Sequence, residues 1–225
     1  MNEHLWKGAE LKLEYASLHL LRMREALFPP TRTPMTVALQ ASGSYIELDW
    51  QRHLYAHLDA LLPCVRSVAD IINCCFGHDT NSKMKAWFDG LPIDEQDRRK
   101  QFTARFQPER QTLDDHVLTK ERDVSVHRAG YPDLKVAFTG FFGVRYQANP
   151  TIRLNSTDVQ QDDAAMGWLG QPIDLRPMEK DFEIGGLNLF AACNQYIQAA
   201  KDVLDKARAI ASNVHGSKPL TNPPA

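Results

Sequence analysis

A mainly α fold is predicted for this sequence: a four-helix bundle with a small antiparallel β insertion between its third and fourth helices. Three observations predict it. Four long stretches repeat apolar residues at intervals of three and four, the period of a helix with one buried face. The stretch between the third and fourth of them switches to period two, as strands do. Pro and Gly clusters separate these pieces, where chains turn.

The first helix carries Trp6, Ala9, Leu13, Ala16, Leu20, Met23 and Leu27 on one stripe. Pro29-Pro30 stops it. Residues 29–44 form a loop rich in Pro, Thr, Ser and Gly. The second helix is predicted from about Tyr45 to Phe76, with Ser44 as N-cap and Glu47 completing a capping box. Its core face is Leu54, Leu58, Leu61, Leu62, Val65, Val68, Ala69 and Ile72. Pro63 is expected to kink or divide it, and Gly77 to terminate it.

A short helix follows over about Asn81–Phe88. The third long helix begins near Pro92–Asp94, with Asp94, Glu95 and Asp97 where the backbone dipole favours negative charge. Phe102, Phe106, Leu113, Val117 and Leu118 make its stripe, and Pro108 is expected to kink or break it. The helix is read as running on into Lys120–Arg128.

After Gly130-Tyr131-Pro132, the segments Leu134–Phe138, Phe141–Tyr146 and Thr151–Leu154 read as a hairpin or meander. Too few to form a domain, they are expected to lie on the bundle as an insertion of about residues 133–180. Residues 155–180 look polar and irregular. The last helix is predicted to begin near Ile184–Leu187. Its apolar face is Leu189, Cys193, Tyr196, Ile197, Ala200, Val203, Leu204, Ala207 and Ile210. The expected organisation is one domain over 1–212 and a Pro-rich, disordered tail over 213–225.

Composition narrows the function classes. A hydrophobic fraction of 43% and a charged fraction of 24% suit a globular chain with a sizeable core. The net charge of -2 gives no global basic field, so wholesale wrapping of nucleic acid is not expected. No stretch approaches the roughly 20 apolar residues of a membrane helix. Met1-Asn2-Glu3-His4 is not a basic start leading into an apolar run, so a cytoplasmic location without membrane partners is expected. Cys64, Cys74, Cys75 and Cys193 match neither a disulfide framework nor a zinc knuckle, and read as reduced thiols.

The chemistry-bearing segment is Arg122-Asp123-Val124-Ser125-Val126-His127. An Arg, a polar residue, and a His after four to six intervening positions resemble the signature of the HEPN superfamily. Arg122, Asp123 and His127 fit it residue by residue. The stretches around Asp49–Asp70 and Arg122–Pro132 also look like those of uncharacterised bacterial HEPN-like proteins. The resemblance implies a four-helix bundle, a homodimer, and in many members a metal-independent endoribonuclease, commonly a toxin or defence protein with an antitoxin or other partner protein.

The side chains suit that chemistry. Cleaving RNA without a metal needs proton transfer from the ribose 2′-hydroxyl, and an imidazole titrates near neutrality. A guanidinium offers phosphate a rigid fork of donors. His127 is therefore the candidate acid or base, Arg122 the anion holder and Asp123 the orienting group. Lys120, Arg128 and Arg66 are candidate substrate contacts; no cofactor and no metal is expected. Five residues along a regular helix amount to about 140° of rotation, so Arg122 and His127 converge only if the helix ends or bends, or if a second subunit supplies one of them. The plainer alternative pairs Arg122 with a helix-end carboxylate and leaves His127 half-buried near Tyr131.

Other features carry weaker signals. Between residues 98 and 128 there are eight basic and five acidic side chains, a local excess of three that extends an RNA surface or simply solvates a helix face. His53 and His57, four apart, have metal-compatible spacing and would need a third ligand such as His116 or Asp49. Arg66, inside an apolar helix, needs a partner such as Asp70. Two further functions thus stand beside the ribonuclease: a non-catalytic HEPN-like module that binds a nucleotide or partner protein, and a metal-dependent helical enzyme.

Overall fold

The computed structural model describes residues 4–27, 36–37, 49–78, 82–120, the strand residues 135–137, 140–142, 146–148, 151–153 and 173–174, and then 179–216 and 218–222. The fold is mainly α. Its helices are α1 (His4–Leu27), α2 (Asp49–Phe76), α3 (Ser82–Asp89), α4 (Ile93–Asp114) and α5 (Leu189–His215). Residues 117–120 form one further helical turn. No helix among the described residues is long and apolar enough to cross a membrane.

The helical stripes are where periodicity puts them. All seven predicted residues of α1, from Trp6 to Leu27, are buried, as are all eight of α2. Neither internal proline divides its helix. Pro63 lies within α2 and Pro108 within α4. Each lacks only its own N–H, and at Pro108 both the proline and Ala104, one turn back, are exposed, so the carbonyl left without a donor is open to solvent. The predicted Ser44 cap of α2 lies outside the described residues.

Two units divide the chain. The first comprises residues 1–18, 60–119 and 195–225. Its core has an aromatic centre: Phe76 stacks on Trp6 with ring centroids 4.0 Å apart, and Phe102 lies 5.8 Å from Phe76 on its way to Phe106. Gly77 follows the last residue of α2, where there is no room for a side chain. A Cβ there would meet Thr103 Oγ1 at 2.6 Å and Asn73 Oδ1 at 2.4 Å. The glycine therefore lets α4 approach closely.

The second unit comprises residues 19–59 and 120–194. Its strands are β1 (Thr36–Val37), β2 (Lys135–Ala137), β3 (Gly140–Phe142), β4 (Tyr146–Ala148), β5 (Thr151–Arg153), β6 (Ile173–Asp174), β7 (Phe182–Ile184) and β8 (Leu187–Asn188). The pairings are antiparallel, but they are not one meander. β2 sits between β5 and β7 in a four-stranded order β5-β2-β7-β8, while β3–β4 and β1–β6 pair separately. Phe182 packs edge-on against Phe190, and Arg24 pairs with Glu179 at 2.6 Å.

Three boundaries differ from the sequence reading. The segment Ile184–Leu187 is a tight hairpin, not the start of the last helix. Gly185 and Gly186 take φ of 55° and 78°, which the two-residue turn joining paired Ile184 and Leu187 requires. Helix α5 begins instead at Leu189, capped by Asn188 Oδ1, which accepts the Ala191 N–H at 3.0 Å. At its other end α5 continues to His215, and Gly216 at φ 59° supplies the left-handed stop. Beyond it, where a disordered tail was expected, Thr221 is bonded to Glu95 and Arg99. Finally, α4 ends at Asp114 and does not run on into the Arg122 segment.

Candidate functional site

The approach to the Arg122 segment is built by the residues that end α4. After Asp114 the chain turns through Asp115 and His116. His116 Nδ1 then accepts the Leu118 N–H at 3.2 Å, capping a new helical turn over residues 117–120. Leu118 and Thr119 are buried. Thr119 Oγ1 donates its one proton to the Leu113 carbonyl at 2.6 Å, so the Tyr196 hydroxyl, 2.7 Å away, is the donor to Thr119. The His116 ring stacks on Tyr196 at 4.6 Å, and burial lowers its pKa. These contacts hold the chain three residues before Arg122.

Removing one of them has a measurable cost. Tyr196→Phe leaves Thr119 Oγ1 without its donor in a buried place and is expected to lower stability by about 1 kcal/mol. A urea titration reads this directly, and an unchanged midpoint would contradict the assigned donor.

Arg122, Asp123, His127 and Arg128 lie outside the described residues. Lys120 is the last described residue before them and is exposed. Arg66, predicted to be buried and to pair with Asp70, is partly exposed and directed to the other end of this region. Its Nη2 stands 3.8 Å from Asp114 Oδ1. Asp70 pairs instead with Arg110 at 3.0 Å, and Arg110 also reaches Asp114 at 3.8 Å. The one-turn Arg66–Asp70 pairing loses because α4 brings a closer guanidinium to Asp70.

The basic run on α4 is partly paired with carboxylates. Arg98 pairs with Asp94 at 2.8 Å and Arg99 with Glu95 at 3.1 Å, which with Arg110 engages three of its five cations. Lys100 and Arg105 remain exposed. The plainer reading of this run, a solvated helix face, describes Lys100 and Arg105. Arg99 was read as part of that solvated face, yet it is buried.

The histidine spacing on α2 has a different outcome from the expected one. His53 is exposed and His57 half-buried. Neither His116, which caps the turn after α4, nor any other third group joins them: among the described residues no three His, Cys, Asp or Glu side chains gather to hold a metal. His57 meets His19 of α1 instead, Nδ1 to Nδ1 at 3.4 Å. Sequence reasoning missed His19. The available signal was positional, since His19 and His57 each precede a stripe residue, Leu20 and Leu58. No separation in the sequence links them.

The four cysteines form no disulfide; Cys193 is buried, and Cys64, Cys74 and Cys75 are half-buried. Burial pushes Cys75 up to about 11 and Cys193 up to about 12, so neither is a ready thiolate nucleophile. Comparison with family models, curated proteins and solved structures finds no match to this chain.

Proposed function

We propose that this chain is a HEPN-like helical domain that cleaves RNA through Arg122 and His127, with Asp123 orienting them. The observation that carries the reading is the run Arg122-Asp123-x-x-x-His127 within a mainly α chain. α4 ends at Asp114, and a further helical turn over residues 117–120 leads to the motif. In this reading Arg122 and His127 meet where the helix ends or bends between them, or where a second subunit supplies one of them.

In this reading the His127 imidazole takes the proton of the ribose 2′-hydroxyl. The oxygen attacks the adjacent phosphorus, and the 5′-oxygen leaves with a proton returned by an imidazole. Arg122 holds the non-bridging oxygens as charge builds on them. Lys120, Arg128 and Arg66 are the proposed backbone contacts. The working unit is a four-helix bundle paired as a homodimer, and an antitoxin-like partner restrains it.

Purified protein incubated with RNA in excess chelator tests the proposal. Cleavage is expected to persist in chelator and to vanish in His127→Ala and in Arg122→Ala. Binding without cleavage, lost in Arg122→Ala, would replace the enzyme with a nucleotide-binding module. Cleavage that survives His127→Ala would end the reading.

A further inference from the structure

We infer that α1 pairs with α1 of a second copy of this chain, antiparallel about a two-fold axis, along a seam that runs from Lys7 to Glu25. The carrying observation is where apolar side chains stay exposed. Among the described residues six large hydrophobic side chains are exposed, and four of them, Leu11, Tyr15, Leu18 and Leu21, lie on α1 with 42% to 50% of their surface open. At about 100° per residue, Leu11, Tyr15 and Leu18 fall within about 60° of one another. They stand about 160° from the middle of the core stripe that runs from Trp6 to Leu27. Charged and polar residues belong on that side of a surface helix. A single exposed leucine needs no explanation, but a continuous apolar stripe marks an interaction surface.

Spacing and charge say what covers the stripe. Lys7, Leu11, Glu14, Leu18, Leu21 and Glu25 follow one another at alternating steps of four and three, the repeat with which one helix packs along another. Each of these side chains is exposed. The repeat carries a cation at one end and an anion at the other. Laid antiparallel on a copy of itself, with the two-fold axis level with Ala16, it brings Leu11 to Leu21, Leu18 to Glu14 and Lys7 to Glu25, each contact made twice by symmetry. Tyr15 lies next to the axis, where its ring covers the centre of the seam.

A parallel pairing would set Lys7 against Lys7, Glu14 against Glu14 and Glu25 against Glu25, so charge selects the antiparallel one. Glu25 pairs with Arg22 of its own helix at 2.8 Å, and Lys7 of the second copy joins that exposed pair. Glu14 is the polar position within the seam; such a residue costs stability and favours one register. The pairing supplies the homodimer that the proposed function includes, yet it is carried by α1 alone and its test uses no RNA. Failure of either leaves the other standing.

Sedimentation equilibrium of the full chain, from about 1 μM to about 1 mM, tests the seam. A reversible monomer–dimer equilibrium is expected. The doubly substituted Leu11→Lys/Leu18→Lys protein should dimerise about a hundredfold more weakly or not at all. Both side chains are exposed, so the monomer keeps its fold, which circular dichroism checks. Lys7→Glu and Glu25→Lys should each weaken the dimer about threefold to tenfold, and the two together should restore it. A contact elsewhere on the molecule, or a parallel pair, gives no such recovery. A chain that stays monomeric over the whole range, or that dimerises with unchanged affinity in Leu11→Lys/Leu18→Lys, would overturn the inference and leave the stripe to a different partner. A dimer sensitive to the leucines but indifferent to the exchange of charges would overturn the antiparallel register.

Discussion

Arg99→Ala is expected to cost about 3–5 kcal/mol, the usual consequence of removing one partner of a buried ion pair. Arg99 is fully buried, and its guanidinium ties together four parts of the chain. Nε donates to Glu95 at 3.1 Å, Nη1 to the Cys75 carbonyl at 2.9 Å, and Nη2 to the Thr221 carbonyl at 2.8 Å. The plane also lies over the Trp87 ring, 4.9 Å from its centroid. Truncation leaves the Cys75, Gly77 and Thr221 carbonyls and the Glu95 carboxylate without these donors. Glu95 keeps only the N–H and hydroxyl of Thr221, each at 3.0 Å. A loss of that size is a large share of a domain's net stability, commonly about 5–15 kcal/mol. Urea denaturation of Arg99→Ala, Glu95→Gln and the double variant decides the matter. The double variant should lose less than the sum of the singles, because neither then leaves the other's charge buried alone. Strict additivity would mean that the pair is not coupled as described.

Acidification should destabilise the protein before its carboxylates titrate, and His215 is the reason. The side chain is buried at the end of α5, with Nε2 donating to the Phe76 carbonyl at 3.1 Å and the ring 5.7 Å from Phe102. Nδ1 is buried with no hydrogen-bond partner, so protonation places an unmet charge there. Burial above all, opposed by the Phe76 bond and aided by Arg99 and Arg98, lowers its pKa from 6.5 to about 4. The unfolded chain therefore binds the proton first. The stabilising contribution is complete above pH 6.5 and is lost as the pH falls toward 4. Over that window the shift amounts to about 3 kcal/mol. His57 and His116 are displaced in the same direction and add to the slope. Glu95 then continues it at lower pH: burial raises its pKa, but Thr221 and Arg99 outweigh burial and leave it below the usual carboxylate range. Equilibrium unfolding followed from pH 7 to pH 4 should show this loss, and His215→Gln, which keeps a donor to Phe76 but cannot protonate, should flatten it. A wild-type profile without slope in this range, or a variant as pH-sensitive as the parent, would contradict the assignment.

The helices were legible because burial on a helix leaves a local trace. Trp6, Ala9, Leu13, Ala16, Leu20, Met23 and Leu27 alternate by three and four, and every one is in the core. Of the short strands, β2 and β5 were legible through period two, while β1, β6, β7 and β8 fell in segments read as loop, irregular chain or helix start. What misled was apolar composition without period. Ile184 and Leu187 read as a helix start, while the Gly185-Gly186 pair between them was the better signal. Gly216 was likewise an available stop for α5. The end of α4 had a weaker signature, since Leu118 continues the apolar stripe and only His116, acting as a cap, breaks it.

Residue spacing alone determined that the chain is mainly helical and where the stripes of α1 and α2 lie. Those are properties of neighbours within one or two turns. Tertiary structure decided that Arg99 is buried rather than solvated, that Asp70 answers Arg110 rather than Arg66, and that His57 meets His19. The backbone carbonyls that Arg99 reaches, 22 to 122 residues away, leave no period in a sequence, whereas Glu95 lies only one turn before it. A charge's partner is chosen by which elements pack together, and that is settled by the whole core at once.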